Sequence, residues 1–208
     1  MYYDITGIIL AGGKSTRMGE NKALLEINGI TVIEHIKNLM TPIFNKLILI
    51  TNTPDEYKFL GLQIFTDIYE QKGPLTGIHS GLVNSETDDN FIISCDIPLL
   101  NKSIIKFICE YKTEHPITVC KADGFIQQLA GKYSKSLITS AEEILKSNEN
   151  ETRDVNQKKR KCSVLTILDK CGAEIINAEE LIIYKQHMFF NMNRPEDYNW
   201  ILKNAEFS

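Results

Sequence analysis

Leu10-Ala11-Gly12-Gly13-Lys14-Ser15-Thr16-Arg17-Met18-Gly19-Glu20-Asn21-Lys22 follows on from a nearly all-apolar run at residues 5–11. An apolar run of that length predicts a β-strand buried on both faces, as in a parallel sheet covered by helices. Glycines directly after such a strand let backbone N–H groups turn toward a ligand with no Cβ in the way. A loop of this kind, at the carboxyl end of a parallel strand, is where open α/β sheets bind nucleotides. Arg17 and Lys22 add fixed positive charge, which a triphosphate needs. By itself a Gly-Gly turn is also a plain strand-to-helix connection.

Outward from this stretch, short apolar runs alternate with longer amphipathic ones, the pattern of an α/β domain. Strands are predicted over residues 47–50, 62–65 and 91–95, the last stopped by Asp96 and Pro98. Helices are predicted over 32–40, ending before Pro42, and after Gly73-Pro74, carrying Leu75, Ile78 and Leu82. Further on, Ile104, Phe107, Ile108 and Tyr111 have helical spacing. Residues 117–120 read as a strand, and 125–133 as another strand or a hairpin arm after Asp123-Gly124. Helices are expected over 137–145, 163–171 and 195–203, and a strand over 174–176. Residues 146–161 are almost wholly polar, with Val155 the one apolar residue, and read as an exposed loop. There are no repeats and no long linkers, so residues 1–208 are expected to form a single domain.

The 208 residues are 43% hydrophobic and 24% charged, enough for a sizeable core. With 23 Lys and Arg against 27 Asp and Glu, the net charge is −4, which argues against a nucleic-acid binder relying on a basic surface. No apolar run approaches the roughly 18 residues of a membrane helix. The start, Met1-Tyr2-Tyr3-Asp4, has no basic n-region, so a secretory leader is not expected. Five scattered cysteines without a C-x-x-C pair form neither a disulfide framework nor a zinc site. A cytoplasmic protein is expected.

Two nucleotide motifs fail on spacing. Gly13-Lys14-Ser15 suggests a Walker A loop, but its first glycine would fall at Ile8, inside the strand, and Gly7 is one residue early. The dinucleotide pattern G-x-G-x-x-G is absent. The loop is therefore a candidate nucleotide site of another kind.

The opening Leu-Ala-Gly-Gly-x-Ser-x-Arg-Met-Gly-x-x-Lys resembles that of the molybdenum cofactor guanylyltransferases, members of the nucleotidyltransferase superfamily. Further blocks follow in order: Asp67, Gly73-Pro74-Leu75-Thr76-Gly77, Cys95-Asp96-Ile97-Pro98, and Asn191-Met192-Asn193-Arg194-Pro195-Glu196-Asp197. Two positions depart from the pattern. Asn21 stands where an Asp often precedes the lysine, and Gln127-Gln128 replaces a His- or Gln-Pro pair. The resemblance implies a Rossmann-like three-layer α/β fold with a mainly parallel central sheet. It also implies transfer of GMP from GTP to molybdopterin with release of pyrophosphate and with Mg²⁺ as cofactor. A transient contact with molybdenum-insertion or acceptor proteins is a further implication. A cytidylyltransferase of the same pterin, a sugar-phosphate nucleotidyltransferase and a non-catalytic nucleotide-binding protein are the alternatives.

Nucleotidyl transfer from an anionic nucleophile needs no strong base; it needs positioning and charge neutralisation. Asp96, emerging from a buried strand at the ligand edge, can offer Mg²⁺ a hard oxygen, or can simply end the strand. Arg17 and Lys22 are the expected catalytic cations. Leu10, Ala11, Gly12, Gly13, Lys22, Asn52, Asp67 and Asp96 are the expected nucleotide-binding residues, with the backbone at Leu10 and Ala11 reading the base. The Gly12 position, where the cytidine enzymes usually carry alanine, favours guanine. Pro74, Leu75, Gly77, Asn191 and Asn193 are the expected substrate-binding residues. Cys95, adjacent to Asp96 in the strand, should point to the opposite face and pack. The basic run Lys158-Lys159-Arg160-Lys161 suits an acidic partner or plain solvation.

Overall fold

Strand β1 (Tyr2–Leu10) is central, and six of its nine residues are buried. It pairs in parallel with β4 (Phe44–Ile50) on one side and β6 (Asp89–Ser94) on the other. Its side chains alternate between two cores, as a period of two requires. Ile5 and Ile9 face one, with α1 (Val32–Met40) and α3 (Lys102–Glu110). Ile8 and Leu10 face the other, with α2 (Pro74–Asn84), α4 (Ile138–Glu149) and α5 (Val164–Cys171). The result is the expected three-layer α/β arrangement. This computed structural model describes residues 1–12, 21–70, 73–149 and 163–204.

The seven-stranded sheet runs β5-β4-β1-β6-β8-β7-β9, where β5 is Gln63–Phe65, β7 Ile117–Ala122, β8 Phe125–Ser134 and β9 Glu174–Asn177. Only β8 runs against the rest, because β7 turns into it through a hairpin. The two-residue connection is Asp123-Gly124, both at positive φ (53° and 78°). Such a turn matches the twist of the strands it joins, and Asp-Gly is a preferred sequence for it. The strand-or-hairpin choice for residues 125–133 therefore resolves as both.

A second hairpin, β2 (Glu26–Ile27) and β3 (Ile30–Thr31), was not read from the sequence. Its signal was available: Asn28-Gly29, at φ 52° and 81°, stands between two isoleucines. Thr31 then caps α1 in a reciprocal pair with Glu34. The helix expected over 137–145 begins at 138, after a 3₁₀ turn, and continues to Glu149. The loop expected from residue 146 therefore starts too early in that reading. Ala141, Ile144 and Leu145 bury one face of α4, and the exposed Glu142–Lys146 pair at i,i+4 extends the helix into the polar segment. The rest of that segment, including Lys158-Lys159-Arg160-Lys161, lies outside the described residues.

The last helix, α6 (Pro195–Asn204), folds back over the β2–β3 hairpin. Ile201 and Met192 join Ile27 and Val32 in a small separate core, flanked by Trp200 and Phe190. That packing carries the chain segment just before α6 to the carboxyl edge of the sheet.

Gly131 in β8 lies opposite Ile92 and Val119. A Cβ there would sit 2.7 Å from the Thr118 carbonyl oxygen and 2.6 Å from Val119 Cγ1. Because the Thr118 backbone carbonyl cannot swing aside, Gly131→Ala is expected to cost about 2 kcal/mol, or roughly 4–8 °C in Tm for a chain of this size. Differential scanning calorimetry measures it, and an unchanged Tm would show that β7 and β8 can separate without cost.

Candidate active site

Strands β5, β4, β1 and β6 are parallel neighbours, so their carboxyl ends form one edge. Two hydrogen bonds past the strand ends keep that edge level: Ala11 N donates to the Ile50 carbonyl (2.9 Å) and Cys95 N to the Leu10 carbonyl (3.0 Å). These bonds commit the very groups expected to read the base. The Ala11 amide donates within the sheet, and the Leu10 carbonyl already accepts one bond. Gly12 is exposed, and no described atom lies within 4 Å of where its Cβ would be. Gly13 and Arg17 lie outside the described residues.

Asp96 follows β6 by two residues. One carboxylate oxygen, Oδ2, accepts a hydrogen bond from Lys22 Nζ at 2.9 Å; the other, Oδ1, is buried with no partner among the described residues. Lys22 opens a 3₁₀ turn, Lys22–Leu24, and also donates to Asn193 Oδ1 at 3.0 Å. Its side chain and that of Asp96 are only 16% and 14% exposed. Shielding of that degree makes the charges interact more strongly than a surface pair would.

The third member is set from the C-terminal side. Met192 N donates to the Asp96 main-chain carbonyl (2.8 Å) while the Met192 side chain is fully buried. Asp197 accepts from both Asn193 N and Arg194 N at 2.8 Å, shaping the turn into α6. Within Asn191-Met192-Asn193-Arg194-Pro195-Glu196-Asp197, the anchoring residues are thus Met192 and Asp197. Asn193 reaches the site, while Asn191 donates to the Phe189 carbonyl (3.3 Å) and stays exposed.

On the other side of Gly12, Asn52 beyond β4 and Asp67 beyond β5 clasp each other. Asn52 Nδ2 donates to Asp67 Oδ2 at 2.7 Å, and Asp67 N donates to Asn52 Oδ1 at 3.1 Å. Asn52, the expected base contact, holds Asp67 through both ends of its amide. Gly77, in the first turns of α2, has its Cα facing Leu10 and Asp67; a Cβ there would be 3.4 Å from Leu10 Cδ2 and 3.8 Å from Asp67 Oδ1. Pro74 is exposed at the start of α2. The Leu75 side chain is fully buried in the core against the sheet, where it packs.

The nearby groups that are not available for chemistry are equally clear. Burial pushes the Cys95 thiol up to about 12, so it stays protonated and packs, as expected from strand alternation. His79 is buried, and desolvation lowers its pKa despite a contact with Glu142 at 3.4 Å, leaving it neutral. No group of three His, Cys, Asp or Glu side chains placed to hold a metal occurs among the described residues. A single carboxylate with an orphaned buried oxygen is nevertheless a donor set that Mg²⁺ uses, since this ion commonly takes one or two carboxylates and completes its shell with water and substrate phosphates.

Gly12, Lys22 and Asp96 stand at the carboxyl edge of a parallel sheet covered by helices on both faces, the place where such folds bind nucleotides. The chain belongs to the MobA-like NTP transferase domain family, which it matches over residues 7–162. It is 35% identical over 202 residues to a Carboxydothermus hydrogenoformans protein named "probable molybdenum cofactor guanylyltransferase", covering 96% of each chain. A Flavobacterium johnsoniae protein of the same name is 34% identical, with 94% of this chain and 95% of that one covered. In structure, the chain is similar to molybdopterin-guanine dinucleotide biosynthesis protein A of Archaeoglobus fulgidus, with a TM-score of 0.76 at 18% identity over 95% of this chain and 97% of that one. At that identity the likeness speaks for the fold.

Burial holds the Asp67 carboxyl above the ordinary carboxylate value, and the Asn52 hydrogen bond offsets part of the rise. The folded state therefore binds that proton more tightly than the unfolded state does. This favours folding at acid pH and is lost as pH rises through the folded-state pKa. Asp67→Asn is expected to flatten the acid-side pH dependence of stability. Urea unfolding at about pH 5 and about pH 8 measures the slope; a slope equal to that of the unsubstituted protein would mean the carboxyl is fully solvated.

Proposed function

We propose that this protein transfers GMP from GTP to molybdopterin and releases pyrophosphate, with Mg²⁺ held at Asp96. The observation that carries the reading is the meeting of Lys22, Asp96 and Asn193 beside the open backbone at Gly12. The names of the relatives supply the nucleotide and the acceptor.

In this reaction a phosphate oxygen of the pterin attacks the α-phosphorus of GTP. A new P–O bond forms, the bond to the β-phosphate oxygen breaks, and pyrophosphate leaves with the electron pair. The nucleophile is already anionic, so no residue has to remove a proton, and the site contains no Ser–His–Asp arrangement among its described residues. Lys22 neutralises charge on the triphosphate and on the departing pyrophosphate. Asp96 Oδ1 is the oxygen that would hold Mg²⁺, which when bound spreads the charge of the reacting phosphoryl group. Asn193 would offer a neutral amide to the phosphates, and Asp67 with Asn52 would face the nucleoside. No described helix is long and apolar enough to cross a membrane.

Asp96→Asn keeps the side-chain shape and an acceptor for Lys22, so the fold should persist. Removing the charge is expected to lower kcat/KM by at least about 100-fold. Turnover near that of the unsubstituted protein at ordinary Mg²⁺ would take Asp96 out of the mechanism.

Base choice tests the guanylyl reading separately. A site that pairs buried polar groups with one base edge leaves them unpaired against another. GTP is therefore expected to exceed CTP by at least about tenfold in kcat/KM with molybdopterin as acceptor. Equal or better use of CTP would assign the protein to cytidylyl transfer with the same fold and the same Asp96.

A further inference from the structure

Asn21 lies immediately before Lys22, and its side chain makes three hydrogen bonds among the described residues. Its Oδ1 accepts from Ala23 N at 3.1 Å, capping the 3₁₀ turn that begins at Lys22. Its Nδ2 donates to Glu56 Oε2 at 2.7 Å and to the Tyr57 hydroxyl at 2.8 Å. Glu56 and Tyr57 belong to the 3₁₀ helix Pro54–Leu60, which follows β4. Tyr57 is buried to 2% in the core beneath it, and that burial pushes its hydroxyl up to about 12, so it stays a neutral phenol. One amide thus ties the start of the Lys22 turn to a rigid element on one side, while the Lys22 ammonium crosses to Asp96 and Asn193 on the other.

We infer that Asn21 is the positioning residue for Lys22, and that an amide fits there because the exposed Glu56 carboxylate accepts from it. A carboxylate at position 21 could still cap Ala23 and could accept from the Tyr57 hydroxyl. Against Glu56 it would place two negative oxygens at hydrogen-bond distance with no proton between them. The start of the turn would then be pushed off its anchor and the lysine carried with it. A 1 Å displacement of a charge-neutralising group is enough to weaken its interaction with a phosphate chain. This inference rests on the assignment of Lys22 to the triphosphate.

The test is a set of equilibrium titrations of GTP with Mg²⁺ by calorimetry, with thermal melts in parallel. Asn21→Asp is expected to weaken GTP binding about tenfold, the scale of a like-charge contact near a protein surface, with Tm nearly unchanged. Adding Glu56→Gln to it restores a donor opposite the new carboxylate and is expected to recover most of the affinity. In a Lys22→Ala background, Asn21→Asp should have little further effect, because its influence runs through the lysine. Should Asn21→Asp prove too unstable to titrate, Asn21→Ser, which keeps the cap but not the two donors, is expected to bind GTP less tightly with kcat less affected than KM. Unaltered GTP binding in Asn21→Asp, failure of Glu56→Gln to rescue it, an additive loss with Lys22→Ala, or unaltered binding in Asn21→Ser would each overturn the inference. Absence of GTP binding by the unsubstituted protein would instead defeat the transferase reading itself.

Discussion

Everything at the functional edge depends on β1 being buried on both faces between two parallel neighbours. Parallel pairing sets the carboxyl ends of β4, β1 and β6 side by side, and the bonds from Ala11 to Ile50 and from Cys95 to Leu10 hold them level beyond the regular ladder. Hydrophobic burial of Ile8 and Ile9 on opposite faces makes a slip of register costly, since a one-residue shift would exchange the two cores. The strand ends are therefore a rigid base, and the polar residues just past them occupy fixed points.

From that base the site is closed by two excursions of the chain that are far apart in sequence. One is the Lys22 turn, held by its cap and by Asn21. The other is the segment before α6, brought in by Met192 and Ile201 packing on the β2–β3 hairpin. The Lys22 ammonium bridges them, touching a residue 74 positions away and another 171 positions away. A shielded cation is costly to leave without acidic or polar partners, so its placement couples the two excursions. The small core under α6 serves function through this coupling: it sets Asn193, and through Met192 N it steadies the backbone at Asp96.

The Asn52–Asp67 side of the edge is built on a different principle. Asn52 and Asp67 satisfy each other in a two-bond clasp, which holds a half-buried carboxyl in place against the cost of its desolvation. Gly77, in the first turns of α2, stands beside that clasp and Leu10. Rigid elements thus present polar groups whose own hydrogen bonds are already partly made, which lowers the reorganisation needed when a ligand arrives.

Much of this was legible in the order of residues. The apolar run of β1, the alternation of strands and helices, the breaks at Pro42, Gly73-Pro74 and Pro98, and the isolation of Asp96 at a strand end are local patterns, and local patterns follow from backbone propensity and hydrophobic period. The roles of Asn52, Leu75 and Asn21 were not legible, because each depends on what stands opposite. Asn52 is met at both ends of its amide by Asp67, which stands beyond another strand. Leu75 sits in a motif that suggests contact with a substrate, yet the sheet buries it. Asn21 reads as a departure from a pattern until Glu56 supplies the acceptor that makes an amide the fitting group. Residue order sets which side chains can carry charge, turn the chain or be buried; which of them meet is settled by the fold, because hydrogen bonds and ion pairs are chosen by distance in space and not by distance along the chain.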